Sequence, residues 1–240
     1  MAGCGEVRIY ADLEALSHAA ADLFGAAARD AVASRGRFLV VLSGGHTPRR
    51  TYELLAGPPY REQVPWDRVH VFWGDEREVP LTDPASNYRL ARDTLLAHIP
   101  LGPEQVHPMA AYPAVEEGAR AYETRLRRFF GTHPPVFDLI FLGLGEDGHT
   151  ASLFPGSPAL QETRRWVVPV PPPPGSVPRM TLTLPVLNQG RCIVFLVTGA
   201  SKALILQKIL EGSEEADPLP ASLVRPVQGR LLWLADRTAA

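Results

Sequence analysis

The chain has 240 residues, 45% hydrophobic and 21% charged, a composition that suits a globular protein with a sizeable core. Its 24 Lys and Arg against 26 Asp and Glu leave a formal charge of -2, which argues against a nucleic-acid-binding face or a polybasic membrane anchor. A small anionic ligand would be held by a few placed cations, not by a global field.

Apolar runs alternate with helical patterns almost from end to end. Val7 to Tyr10 reads as a short strand, followed by a long alanine-rich helix over residues 12–34 with Asp12 as N-cap. Arg37 to Leu42 is a continuous apolar strand ending at Ser43-Gly44-Gly45, and Val69 to Trp73 is a third strand ending at Gly74-Asp75. Helices are predicted from Tyr88 to His98 and from Val115 to Phe130. Val136 to Leu144 and Arg191 to Val197 supply two more strands. A helix over Ser201 to Leu210, with Ser201 as candidate N-cap, and a last strand at Arg230 to Leu234 complete the pattern.

Strands apolar on both faces and alternating with helices predict an α/β fold. Its mostly parallel, doubly wound, Rossmann-like sheet would carry helices on both faces. One catalytic domain over residues 1–240 is expected. Such sheets take ligands beyond the carboxyl ends of their strands, where this chain concentrates its unusual residues. The proline-rich stretch from Pro169 to Pro178 reads as a rigid surface connection rather than a ligand for a proline-binding domain. Cys4 and Cys192 stand far apart and outside any CxxC or zinc-ligand spacing, so neither a disulfide framework nor a structural metal is expected. The opening segment lacks the apolar core of an export signal, and the longest apolar runs are too short to span a bilayer. A reduced, cytoplasmic protein is expected.

Four segments could carry chemistry. Ser43-Gly44-Gly45-His46-Thr47-Pro48 joins a buried strand to a helix, so its glycine backbone can approach an anion at a helix start. It also reads as a plain tight turn, and it is not a P-loop. Gly74-Asp75-Glu76-Arg77, with Asn87 shortly after, offers a guanidinium for phosphate oxygens; the bland alternative is a surface salt-bridge cluster. Gly143-Leu144-Gly145-Glu146-Asp147-Gly148-His149 contains GxGxxG after a strand. Its internal carboxylates would repel a pyrophosphate, and no acidic residue follows at the ribose position, so acid–base work by His149 beside a carboxylate fits better. Thr198-Gly199-Ala200-Ser201-Lys202 brings a point cation to a helix start, and Arg179 is a further cation. No Gly-x-Ser-x-Gly elbow, His-x-x-x-His pair or activated cysteine is present.

Taken in order, the strings VVLSGGHTPRRTYELL, VHVFWGDEREVPLTDPASNYRLA, FDLIFLGLGEDGHTASLFPGSPAL, RMTLTLPVLN, VFLVTGASKALILQKIL and LPASLVRP resemble the 6-phosphogluconolactonase family. They span about residues 38 to 234. The resemblance implies a fold similar to glucosamine-6-phosphate deaminase and ribose-5-phosphate isomerase. It implies hydrolysis of 6-phospho-D-glucono-1,5-lactone in the pentose phosphate pathway, with no cofactor and no metal.

Carried onto this sequence, the resemblance makes His149 the general base, supported by Asp147. Arg77 and Lys202 would bind the phosphate with the Gly44-Gly45 backbone and Arg179, and Asp75 and Asn87 fall in matching motifs. His46, where the family often has a smaller residue, and Gly74 are departures that remove no needed group. The expected partner is a phosphorylated sugar lactone, with no nucleic acid or membrane, for a monomer or small homo-oligomer. Aldose–ketose isomerisation is disfavoured because the segment from Ser152 to Ser157 lacks the extra acid of the deaminases. A non-catalytic sugar-phosphate sensor is disfavoured because no DNA-binding segment accompanies an intact candidate base.

Overall fold

The computed structural model describes residues 5–111, 113–171, 175–212 and 218–240. Cys4 and Pro172 to Pro174 of the proline-rich stretch lie outside the described residues. Strand β1 (Glu6–Tyr10) leads into helix α1 (Leu13–Arg35). Asp12 caps that helix as expected, accepting from the Ala15 N–H at 2.8 Å. The helix stops at Gly36, whose φ of +75 suits glycine, with its N–H returned to the Val32 carbonyl. Ala20, Ala21, Ala28 and Ala31 are fully buried around Phe24, so small side chains let α1 lie close to its neighbours.

Next come β2 (Phe38–Leu42), α2 (His46–Leu55), the short α3 (Tyr60–Gln63), β3 (Val69–Trp73), β4 (Asp75–Arg77), α4 (Asn87–Thr94) and α5 (Val115–Phe130). The remainder is β5 (Leu139–Gly143), β6 (Val167–Val170), β7 (Arg179–Leu182), the short α6 (Leu184–Leu187), β8 (Cys192–Val197), α7 (Ala203–Glu211) and β9 (Arg230–Asp236). Six strands form one sheet in the order β1-β9-β8-β5-β2-β3, all neighbours parallel, with helices packed around it. This is the α/β architecture that the alternating pattern predicts. Phe195 stacks on Trp233 at 3.9 Å across β8 and β9, and Phe24, Phe38, Trp66 and Phe141 pack as a second aromatic group.

From β2 the chain winds outward to β3, then returns to β5 and proceeds the other way through β8 to β9. The order therefore reverses between β2 and β5, and a crevice opens beyond their carboxyl ends. The loops after β2 and β5 are the two glycine-rich segments.

Several elements depart from expectation. A second, antiparallel sheet, β4-β7-β6, stands beside the first and pairs Arg77 with Arg179. The Asp-Glu-Arg string is thus a strand with Asp75 and Glu76 buried, and not a surface salt-bridge cluster. Pro169 and Val170 belong to β6, an edge strand where proline's missing N–H is tolerated, so only part of that stretch is connection.

The helix expected to reach His98 stops at Thr94, where Leu95 leaves helical geometry, and a 3-10 turn covers Leu96–His98. Its start is capped by the Ser86 hydroxyl. Ser201 does not cap α7: after Gly199 at φ +96 it sits inside a 3-10 turn, Ala200–Lys202, and Lys202 occupies the N-cap position.

Candidate active site

The crevice is a cleft of about 360 Å³. Gly44, Gly45, Asp75, Arg77, Asn87, His149, Arg179 and Lys202, drawn from six separate stretches, all line it. Asp147 stands behind His149. A larger open hollow of about 740 Å³, between Arg49, Arg61 and His98, contains none of these groups.

The first wall is the loop after β2. Tyr52 clamps it, its hydroxyl accepting from the Ser43 N–H at 3.0 Å and donating to the Ser43 carbonyl at 2.8 Å. A Cβ on Gly44 would stand 1.8 Å from Asn87 Oδ1, so the backbone approach requires glycine there. Thr47 Oγ1 meets Thr198 Oγ1 at 2.8 Å and ties this loop to the one after β8.

The second wall is β4. Asp75 accepts from Asn87 Nδ2 at 3.1 Å and from the Ser152 hydroxyl at 2.7 Å. Glu76, fully buried, accepts the N–H groups of Arg77, Asn87 and Tyr88 and the Ser86 hydroxyl, all at 2.8 to 2.9 Å. Burial pushes its carboxyl up from the ordinary range, against the pull of those four donors. Glu76 thereby fixes the start of α4 relative to β4, and with it Asn87. Arg77 donates to the Ala85 carbonyl. Across the pairing, Arg179 lies over the Phe154 ring at 5.4 Å. Burial, with Arg77 adding like-charge repulsion, lowers Arg179 from its ordinary value. Two guanidinium groups held together, each with a buried unpaired Nε, favour an anion between them.

The third wall is the loop after β5. The Gly145 N–H donates to the His149 carbonyl at 2.8 Å, closing the loop, and Gly148 at φ +80 makes the turn. His149 Nδ1 lies 2.5 Å from Asp147 Oδ1, which also accepts the His149 backbone N–H at 3.0 Å. Burial raises the Asp147 carboxyl, but the bonds from His149 outweigh it and hold the group below the usual range. An ionised Asp147 can only accept, so the Nδ1 proton faces it and the lone pair falls on Nε2. Nε2 has no hydrogen-bond partner among the described residues. The ring packs on Phe154 at 4.6 Å. Ala151, at φ +48, is the non-glycine residue at positive φ among those described, next to the Ser152 that Asp75 holds. Beyond β8, Lys202 Nζ stands 3.7 Å from Glu146 Oε1, an exposed carboxylate that a phosphate could displace.

Ser43, Thr47, Glu76 and Thr198 lie in segments that the sequence marks as chemistry-bearing but carry no role of their own there, and Ser152 is read only for the acid its segment lacks. Their types are ordinary, and only the fold brings them together. Among the described residues, no three His, Cys, Asp or Glu side chains converge as a metal site would require.

The fold and cleft define a Rossmann-like α/β protein with a carboxylate-supported histidine at a crevice lined by Arg77, Arg179 and Lys202. The family described as glucosamine-6-phosphate isomerases/6-phosphogluconolactonase matches residues 11–233, and the chain belongs to this family. It is 46% identical over 215 residues to a 6-phosphogluconolactonase of Synechocystis sp., covering 87% of this chain and 86% of that one. It is 41% identical over 240 residues to the human 6-phosphogluconolactonase, covering 98% and 93%. Among solved structures, 6-phosphogluconolactonase from Trypanosoma brucei superposes with a TM-score of 0.85 at 32% identity, covering 98% and 97% of the two chains.

Proposed function

We propose that this chain hydrolyses 6-phospho-D-glucono-1,5-lactone to 6-phospho-D-gluconate in the pentose phosphate pathway, by general-base activation of water. The observation that carries the reading is the Asp147-supported His149, with Nε2 unpartnered, in a cleft that also holds Arg77, Arg179 and Lys202. The names of the relatives supply the substrate.

In this reading Nε2 takes a proton from water as the water oxygen attacks C1. The tetrahedral oxyanion then collapses, the C1–O5 bond breaks, and O5 takes the proton from the imidazolium to become the 5-hydroxyl. The new carboxylic acid ionises in solution. Asp147 keeps Nδ1 protonated and stabilises the transient imidazolium. Arg77, Arg179 and Lys202, with the Gly44-Gly45 backbone, hold the 6-phosphate, while Asp75 and Asn87 face the sugar. A δ-lactone is already activated, so neither a covalent nucleophile nor a metal enters the proposal. We read residues 1–240 as one catalytic domain, supported by a continuous core shared by both sheets. Among the described residues no helix is long and apolar enough to cross a membrane, which is consistent with a cytoplasmic enzyme.

The test is release of 6-phosphogluconate from freshly made lactone in EDTA, coupled to its dehydrogenase. His149→Ala should fold normally and lose about 10²–10⁴-fold in kcat. Arg77→Ala should act mainly through KM. Wild-type turnover equal to the spontaneous blank would sink the reading.

A further inference from the structure

Eight buried side-chain polar atoms make no hydrogen bond among the described residues, and four belong to residues lining this one cleft. Two are the Nε atoms of Arg77 and Arg179, which phosphate binding explains. The other two, Ser43 Oγ and Asn87 Oδ1, are neutral; the proposed chemistry sets Asn87 towards the sugar but assigns neither atom a bond.

Asn87 is 2% exposed. Its Nδ2 donates to the Asp75 carbonyl at 2.9 Å and to Asp75 Oδ1 at 3.1 Å, which fixes the amide's orientation and leaves Oδ1 as a pure acceptor. Ser43 is 8% exposed. Tyr52 already satisfies its backbone N–H and carbonyl, so the loop does not need the hydroxyl. Gly44 follows Ser43 directly and lies against Asn87 Oδ1, where a side chain would collide. Native folds leave few such atoms unsatisfied, and a ligand that pairs with them removes a standing cost.

We propose that Ser43 is a further substrate-contacting residue, and that with Asn87 it reads one ring hydroxyl of the phosphosugar lactone. The hydroxyl donates to Asn87 Oδ1 and accepts from Ser43 Oγ, which reaches it by turning between staggered rotamers. One substituent thus satisfies both atoms. The pair sets specificity, because a site built to bond a hydroxyl rejects an analogue lacking it by leaving its own polar groups unpaired. The inference rests on the lactone reading above.

The experiment compares wild type and Ser43→Ala on the parent lactone and on its 2-deoxy, 3-deoxy and 4-deoxy analogues, alongside thermal melting. Ser43→Ala should lower kcat/KM on the parent by about 10- to 100-fold. It should melt no lower than wild type, since the atom removed bonds to nothing in the free protein. Wild type should disfavour one deoxy analogue by at least about tenfold, a ratio that shrinks in the variant, where Asn87 alone still meets the hydroxyl. The wild-type arm needs no variant to fold. Unchanged kcat/KM in Ser43→Ala, a clear drop in its melting temperature, or a discrimination ratio undiminished by the mutation would each overturn the assignment while wild type remains active on the parent. A wild type no faster than the blank would overturn the lactone reading and this inference together.

Discussion

A methyl group added at Gly145 separates the geometry of the His149–Asp147 pair from its mere presence. In Gly145→Ala the new Cβ would lie 2.0 Å from His149 Nδ1 and 2.6 Å from Asp147 Oδ1. Gly145 is not among the glycines at positive φ, so alanine fits its backbone. The colliding atoms are the ends of two side chains, which can give way without unfolding the loop. To reach an ordinary contact of 3.4 Å the ring must retreat about 1.4 Å, and the 2.5 Å bond to Asp147 cannot survive that movement intact.

Displacing a catalytic group by about 1 Å costs on the order of 10²-fold, so kcat should fall by about that factor. The fold should change by less than about 1 kcal/mol, because alanine also restricts the unfolded chain. The coupled lactone assay measures the first quantity and thermal melting the second. A kcat within about threefold of wild type would refute the claim that this bond positions the base.

His107 predicts a pH dependence of stability. It is buried against Phe72 at 4.3 Å, and burial, with His70 and Arg125 adding repulsion, pushes its pKa from an ordinary 6.5 down to about 4. Between those values the unfolded chain binds a proton that the folded one refuses. Its contribution is therefore complete above about pH 6.5 and is lost as pH falls towards 4. Denaturant titrations across that range should show the slope, and His107→Phe should flatten it; an unaltered slope would contradict the assignment. Glu76→Gln should lower stability by roughly 2–4 kcal/mol and raise KM, because an amide NH₂ would face two of the four donors and loosen Arg77 and Asn87. Unchanged melting would show that Glu76 does not hold the α4 start.

Most of the main sheet was legible because β2, β3, β5, β8 and β9 are local apolar runs, whereas β1 is a short, largely exposed edge strand. Phe38–Leu42 is buried at every position, and Asp12 and Gly36 mark the ends of α1 chemically. The chemistry-bearing loops were legible for a related reason. Glycines that bend the chain sharply at strand ends, with His149 two residues from Asp147, leave a signature within a few positions. The second sheet left none: β4 is three residues long, β6 contains Pro169, and β4 pairs with a β7 about a hundred residues away. Arg179 became a partner of Arg77 only through that pairing.

The sequence by itself determined the fold class, the glycine-rich loops at the strand ends and the groups able to titrate or bind an anion, since these depend on residue type and near-neighbour spacing. Tertiary structure alone decided that Asp75 and Glu76 are buried organisers, that Ser152 supports the loop behind His149, and that Ser43 and Asn87 line the cleft, each with a buried polar atom left without a partner among the described residues. Burial and pairing belong to chain segments far apart in sequence, and no local pattern encodes which of them meet.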